Sequence, residues 1–292
     1  MTDAEAFGLP AGVPAVVGVL GAGRMGAGIA HAFALAGARV IVVEADESAA
    51  ERAAARIAES LGRSAELGTT PHSLEDLVPL VSTATDASAL AQCALVVEAV
   101  PEDGTLKRAA LMRVEHAVSA AAVIASNTSS LSIDALAAAL DRPDRFLGMH
   151  FFNPVPASQL VEVVAGAATT AAVVETARGW VEAIGKTAIV VRDAPGFASS
   201  RLGVALALEA IRMLEDGVAS AADIDMAMQL GYRHPVGPLR TTDLVGLDVR
   251  LAIAEELHER LGERFAPPAL LRRMVDEGRL GRKTGEGFYE WS

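Results

Sequence analysis

The sequence predicts an α/β fold in which a doubly wound, mostly parallel sheet is followed by an all-α domain, and three observations carry that prediction. Short Val-rich apolar runs alternate with helix-compatible stretches through the first part of the chain. A glycine-rich turn joins the first such run to the first helical stretch. Beyond Asp193 the strand-like runs stop and only helical spacing continues.

Taken in order, Ala15–Leu20 (AVVGVL) has the length and Val content of a strand buried on both faces, and GAGRMG follows it at once. Arg24–Ala36 is Ala-rich and reads as a helix, Gly37 as its stop, and Arg39–Glu44 (RVIVVE) as a second buried strand. Further strands are expected at Ala94–Val100, Ala122–Ala125, Phe146–Met149 and Ala188–Val191. Ser200–Glu215, Ala221–Leu230 and Leu247–Leu261 carry helical spacing. The break DAPGF at Asp193–Phe197 sets the expected domains at 1–192 and 193–292. No internal repeat or low-complexity tract stands out.

The bulk composition narrows the function classes. Twenty-five Lys and Arg against 37 Asp and Glu leave a net charge of −12, which repels polyphosphate backbones and argues against a nucleic-acid partner. Each long apolar stretch is interrupted before the ~20 residues a membrane span needs, so no membrane partner is expected. The opening MTDAEAFGLPAGVP lacks the basic start and apolar run of a secretory signal and is expected to be a short disordered lead. Cys93 is the single cysteine, which excludes an intrachain disulfide and a cysteine-rich metal site and suits a reducing cytoplasm. No metal site is expected.

Gly21, Gly23 and Gly26 follow a strand and open a helix, the order of a Rossmann-type dinucleotide-binding unit. Gly21 is expected to make the tight turn, Gly23 to admit a pyrophosphate and Gly26 to pack the helix on the sheet. Arg24 and Met25 complete the candidate loop, where the helix N-terminus supplies amide donors to phosphate. Glu44, 18 residues after Gly26, stands where a carboxylate can accept from the adenosine ribose hydroxyls. It would repel a 2′-phosphate, so NAD is favoured over NADP. A glycine turn in some other α/β protein is the bland alternative.

Of the six histidines, His31, His72, His116 and His258 read as surface or structural groups. His150 differs, because it ends an apolar strand before the stiff loop HFFNPVP, where catalytic groups of doubly wound sheets collect. Glu162 in QLVEVV is close enough for the chain to fold back and bring its carboxylate to the imidazole. Taken alone, a His and a Glu at this separation are more often unrelated than a dyad.

The stretches GAGRMG, VVEAVPED, SNTSSLSI, RFLGMHFFNPVP, LVEVV, DAPGF, HPVGPL and GRKTGEGFYEW together resemble the 3-hydroxyacyl-CoA dehydrogenase family over nearly the whole chain. The resemblance implies NAD-dependent oxidation of a (3S)-3-hydroxyacyl-CoA, of short chain such as 3-hydroxybutyryl-CoA, in fatty acid metabolism by β-oxidation or its reverse. It implies catalytic positions at Ser129, His150 and Glu162, cofactor contacts at Glu102, Lys107 and Asn153, and a homodimer formed through apolar helix faces. An imidazole can take the hydroxyl proton while hydride leaves carbon. Glu162 would then fix the ring tautomer, and Ser129 would hydrogen-bond the substrate oxygen.

The chain departs from the family pattern in three places. Ser200 in DAPGFASSRLG stands where the family has Asn, and is kept as a candidate catalytic residue. Between Ala49 and Val81, where family members carry lysines toward coenzyme A, this chain offers chiefly Arg52, Arg56 and Arg63. Arg240 adds a cation that reads as surface charge or as a selector of an anionic substrate group. These departures keep two other readings open: a dehydrogenase of a free hydroxy acid or polyol on the same fold, and a catalytically impaired NAD(H)-binding protein.

Overall fold

The computed structural model describes residues 11–291, and the expected disordered lead lies, up to Pro10, outside them. The chain divides between Asp193 and Ala194 into two compact units.

In the first unit, β1 (Val16–Leu20) runs through the glycine turn into α1 (Arg24–Leu35) and β2 (Arg39–Val43). α2 (Glu47–Glu66), the short α3 (Leu74–Leu77) and β3 (Val81–Ala84) follow. The chain continues through β4 (Leu95–Glu98), α4 (Gly104–Ala117), β5 (Val123–Ser126), α5 (Ile133–Ala137) and β6 (Phe146–Phe151). β7 (Leu160–Ala165), α6 (Ala171–Ala183) and β8 (Thr187–Arg192) complete it.

All eight strands form one sheet in the order β3-β2-β1-β4-β5-β6-β7-β8. Neighbours are parallel except β6 and β7. The chain winds to one side of β1 and then returns to β4 on its other side, so the glycine turn opens at the topological switch point, where doubly wound sheets bind ligands. β7 is antiparallel because residues 152–159 connect it to β6 as a loop, and a parallel neighbour would need a crossover such as α6 supplies between β7 and β8.

Two strands go beyond the sequence expectation. β3 (VSTA) is a short, partly exposed edge strand with no apolar run to announce it, and β7 is interrupted by the buried charge of Glu162. β6 also extends two residues past the expected Met149, which puts His150 inside the strand. The core of this unit is built from Val17, Val19, Ile29, Phe33, Val40, Val42, Leu95 and Val97, all fully buried. Each such side chain contributes about 1.5–3 kcal/mol on leaving water.

His31 belongs to that core and is structural. It is 1% exposed, with Nε2 at 3.0 Å from Ser64 Oγ and Nδ1 at 3.1 Å from Ser60 Oγ, which ties α1 to α2. His116 by contrast lies on an exposed stretch of α4.

The second unit contains α7 (Ser199–Glu215), α8 (Ala221–Met226), α9 (Pro238–Val245), α10 (Leu247–Leu261) and α11 (Ala269–Asp276). The single helix expected over Ala221–Leu230 ends at Met226 and widens into a π-turn at Ala227–Gly231. Two buried aspartates organise the unit. Asp243 accepts from the Phe288 and Tyr289 amides at 2.9 Å each and from Trp291 Nε1 at 2.8 Å. Asp225 accepts from the Leu239 and Arg240 amides and from the Tyr289 hydroxyl. The motifs HPVGPL and GEGFYEW therefore form a clasp that closes the C-terminus onto α8 and α9. Arg240 lies over the Trp291 and Tyr289 rings, 4.8 and 5.3 Å from their centroids.

Burial, and secondarily the charge of Lys186, push the His31 pKa down to about 4 from its ordinary 6.5. The folded state thus disfavours the protonated ring, so the stability given by neutral His31 is complete above pH 6.5 and is lost as pH falls toward 4. In urea denaturation at pH 7.5 and pH 5, the wild type is expected to lose about 2 kcal/mol more than His31→Gln between the two conditions. Equal losses in both proteins would refute the assignment.

Candidate active site

The glycine turn is shaped by contacts that a side chain would break. Gly21 has φ +82°, its amide donates to Val43 O at 2.9 Å, and a Cβ on Gly26 would lie 1.9 Å from the Gly21 carbonyl oxygen. A Cβ on Gly23 would meet nothing within 4 Å, so the turn leaves open space at that one glycine. α1 begins there with no side-chain cap and no acidic residue in its first turn, and its N-terminal amides at Arg24, Met25 and Gly26 remain outside the helix hydrogen-bond ladder. Open space beside uncapped amides at the positive end of a helix fits a dinucleotide pyrophosphate.

Glu44, just beyond β2, accepts from the Ala22 amide at 2.5 Å, and Arg56 from α2 donates to the Ala22 carbonyl at 2.6 Å. The glycine turn is thus held through both backbone polar groups of one residue, Ala22. Arg63 pairs with Glu59 at 2.6 Å, and Arg52 with Ser48. Arg56 and Arg63 therefore carry structural duties in α2, in addition to the cationic character read from the sequence.

At the ends of β4 and β5 stands a charged cluster that sequence reasoning read only in part. Glu98, fully buried, accepts from Lys107 Nζ and the Val100 amide at 2.7 Å each through Oε1, and from Ser126 Oγ at 2.5 Å through Oε2. Lys107 is 1% exposed, and its ammonium also meets Val100 O at 3.1 Å and Glu102 Oε2 at 3.3 Å. An ammonium has three donors, and three acceptors surround this one. Lys107, expected as a cofactor contact, is thus engaged by protein on every donor.

Glu102 in turn accepts from Thr128 Oγ1 at 2.6 Å, from the Ser129 amide at 2.9 Å and from the Ser130 amide at 3.2 Å. Burial by itself would raise its carboxyl, but the charge of Lys107 with the Thr128 and Ser129 hydrogen bonds holds it below the ordinary range. The loop bearing Ser129 is therefore pinned by an anion that is itself pinned by Lys107. Glu98, Thr128 and Ser126 were not singled out from sequence. The available signal was an acid inside a fully buried strand, LVVE, which demands a nearby cation.

On the neighbouring strand, His150 faces Glu162 directly across the antiparallel β6–β7 register. Nδ1 lies 2.7 Å from Glu162 Oε2, with the His150 side chain 8% and the Glu162 side chain 0% exposed. A carboxylate at Nδ1 keeps the proton there, which leaves the Nε2 lone pair of the neutral ring as the basic site. The Phe152 ring packs 4.4 Å from the imidazole, and Asn127 Oδ1 accepts from the Phe151 amide at 2.9 Å, tying the end of β6 to the β5 loop.

The loop 152–159 is anchored by Lys186, which donates to Val155 O at 2.7 Å and Ser158 O at 2.6 Å. Val155 is buried against α1 at Gly28. Asn153, at a cis bond to Pro154, is exposed on this loop. Ser200 lies in the first turn of α7 in the second unit.

The geometry just described has counterparts among known proteins. Residues 16–194 match the model of the 3-hydroxyacyl-CoA dehydrogenase NAD binding domain, and residues 196–291 match that of the 3-hydroxyacyl-CoA dehydrogenase C-terminal domain. A 3-hydroxybutyryl-CoA dehydrogenase of Mycobacterium tuberculosis is 43% identical over 279 residues, covering 94% of this chain and 98% of that protein. One from Bradyrhizobium diazoefficiens is 40% identical over 277 residues, 94% of each chain. The crystal structure of (S)-3-hydroxybutyryl-CoA dehydrogenase from Ralstonia eutropha is similar with a TM-score of 0.91 at 39% identity, covering 96% of this chain and 99% of that one.

Breaking a buried ion pair by removing one partner leaves an uncompensated charge. Lys107→Met is therefore expected to destabilise the protein by about 3–5 kcal/mol, and adding Glu98→Gln to recover a large part of that loss. Denaturant melts of Lys107→Met, Glu98→Gln and the double variant check this, and a double variant as unstable as the sum of its singles would show the pair to be uncoupled.

Proposed function

Because the chain belongs to the 3-hydroxyacyl-CoA dehydrogenase family and is an NAD-dependent oxidoreductase, we propose that it interconverts short-chain (3S)-3-hydroxyacyl-CoA and 3-oxoacyl-CoA, with His150 as the proton-transfer group. The observation that carries this reading is the buried 2.7 Å contact between His150 Nδ1 and Glu162. NAD supplies the hydride acceptor when bound. Gly21, Gly23, Arg24, Met25 and Gly26 hold its pyrophosphate, and Glu44 takes the adenosine ribose hydroxyls. Glu102 and Asn153 border the nicotinamide end, and Lys107 acts there by positioning Glu102.

In the oxidising direction His150 Nε2 accepts the proton of the substrate hydroxyl. Glu162 stabilises the imidazolium that results, and Ser129 hydrogen-bonds the substrate oxygen as it becomes a carbonyl. In the reducing direction the same imidazole returns the proton. Ser200 is kept as a candidate catalytic residue, a shorter hydrogen-bonding group than an amide side chain.

The same proposal makes the enzyme a cytoplasmic homodimer. Exposed Leu202, Leu230, Tyr232, Val245 and Val249 on the helical unit supply apolar area for a second copy, and the only cysteine, Cys93, is buried and unpaired. Among the described residues no helix is long and apolar enough to cross a membrane.

NADH consumption with acetoacetyl-CoA, run beside free acetoacetate and repeated with NADPH, tests the reading. Turnover is expected only with the thioester and NADH. Glu162→Gln is expected to lower kcat by about 10²–10⁴-fold with little change in the KM for NADH, since it removes the anion that sets the tautomer and stabilises the charged ring. Preference for free acetoacetate, or a Glu162→Gln enzyme as fast as the wild type, would overturn it.

A further inference from the structure

Arg56 lies in α2, in the stretch where the family resemblance implies cations directed at coenzyme A, yet its Nη1 donates to the Ala22 carbonyl in the glycine turn at 2.6 Å. The two polar groups of Ala22 belong to two different peptide planes. Its amide, which donates to Glu44 Oε1 at 2.5 Å, fixes the plane between Gly21 and Ala22. Its carbonyl, held by Arg56, fixes the plane between Ala22 and Gly23. That peptide is trans, and in a trans peptide the C=O and the N–H point to opposite sides. A guanidinium on the Ala22 oxygen therefore aims the Gly23 N–H away from Arg56. This N–H has no hydrogen-bond partner among the described residues, and it stands where a Cβ on Gly23 would meet nothing within 4 Å.

The glycine that leaves this space open is poorly suited to hold its own peptide. Gly23 has φ −58° and ψ −158°, but a glycine reaches positive φ about as readily, so the plane before it can rotate at little steric cost. A rotated plane would present the Ala22 carbonyl oxygen to a phosphate in place of the Gly23 N–H, exchanging a donor for a repelling acceptor. Nothing local prevents this, because α1 has no side-chain cap and Ala22 has only a methyl group. The restraint comes from α2. Arginine suits it twice over, as a donor to the carbonyl and as a cation beside a turn that already holds the Glu44 carboxylate and would receive an anion.

We propose that Arg56 is a positioning residue for the dinucleotide: its hold on the Ala22 carbonyl keeps the Gly23 N–H aimed at the pyrophosphate of NAD. This rests on the reading of the glycine turn as the pyrophosphate site. Arg56 then serves the cofactor and not the coenzyme A portion of the substrate. Its removal weakens NAD(H) and every fragment that carries the pyrophosphate, and leaves the thioester and the chemical step alone.

The test uses the full-length wild type, Arg56→Met and Arg56→Lys, with NADH and ADP-ribose titrated directly and adenosine, which lacks the pyrophosphate, competed against NADH. Arg56→Met is expected to raise Kd for NADH and for ADP-ribose by about tenfold and to change adenosine binding by less than about twofold. In turnover its KM for NADH is expected to rise to match, with kcat at saturating NADH and the KM for acetoacetyl-CoA close to wild type. Arg56→Lys keeps a charged donor and is expected to recover most of the loss. Arg56 is exposed, so thermal melts of both variants are expected to stay near that of the wild type. An unchanged Kd for NADH in Arg56→Met would overturn the proposal, as would an equal loss on adenosine and ADP-ribose. A higher KM for acetoacetyl-CoA with NADH binding intact would overturn it in favour of a coenzyme A contact. A collapse of the melt, or an insoluble Arg56→Met, would overturn it in favour of a purely structural role. A wild type that binds neither NADH nor ADP-ribose would overturn the pyrophosphate reading and the proposal with it.

Discussion

The register between β6 and β7 is the constraint on which the candidate active site depends. Because the loop 152–159 reverses the chain, β7 returns antiparallel and places Glu162 opposite His150. A slip of one residue would send the carboxylate to the other face of the sheet, away from the imidazole. The loop is therefore fixed at several points: Lys186 takes two of its carbonyls, Val155 fills the space at Gly28, and Asn127 holds the Phe151 amide. Burial makes the pairing mutually necessary, since a fully buried carboxylate needs a donor and His150 supplies one.

The same logic recurs wherever this chain buries charge. Glu98, Asp225 and Asp243 are each almost fully buried, and each is met by backbone amides together with side-chain donors. The three differ in what they organise. Glu98 joins β4, β5 and α4 through Ser126 and Lys107, whereas the two aspartates gather the C-terminal segment onto α8 and α9. Glu44 and Glu102, nearer the surface, act as hooks between loops, one on the Ala22 amide and the other on the Ser129 amide. Loop geometry at the switch point is thus set by carboxylates whose own positions are set by the sheet.

Arg250 differs from these carboxylates: it is 8% exposed and its Nε has no hydrogen-bond partner among the described residues. Its Nη1 lies 3.3 Å from where a Cβ on Gly203 of α7 would stand.

The glycine turn, the first β-α-β unit and the helical spacing after Asp193 were all legible in the sequence, because each is written within a few consecutive residues whose periodicity or turn chemistry is local. β3 was not, since a short edge strand has no apolar run, and β7 was hidden by the charge of Glu162. Composition and spacing could bring Glu162 near His150 only as one option, and the resemblance to a family raised it to an expectation. The sequence alone thus determined the class of fold and the glycine turn. Tertiary structure decided the rest: that Lys107 is saturated by three acceptors, that His31 is clamped by α2, that Arg56 grips the Ala22 carbonyl, and that Arg250 points at Gly203. Each of these joins residues on different elements, and which donor meets which acceptor is settled by packing and strand register rather than by local preference.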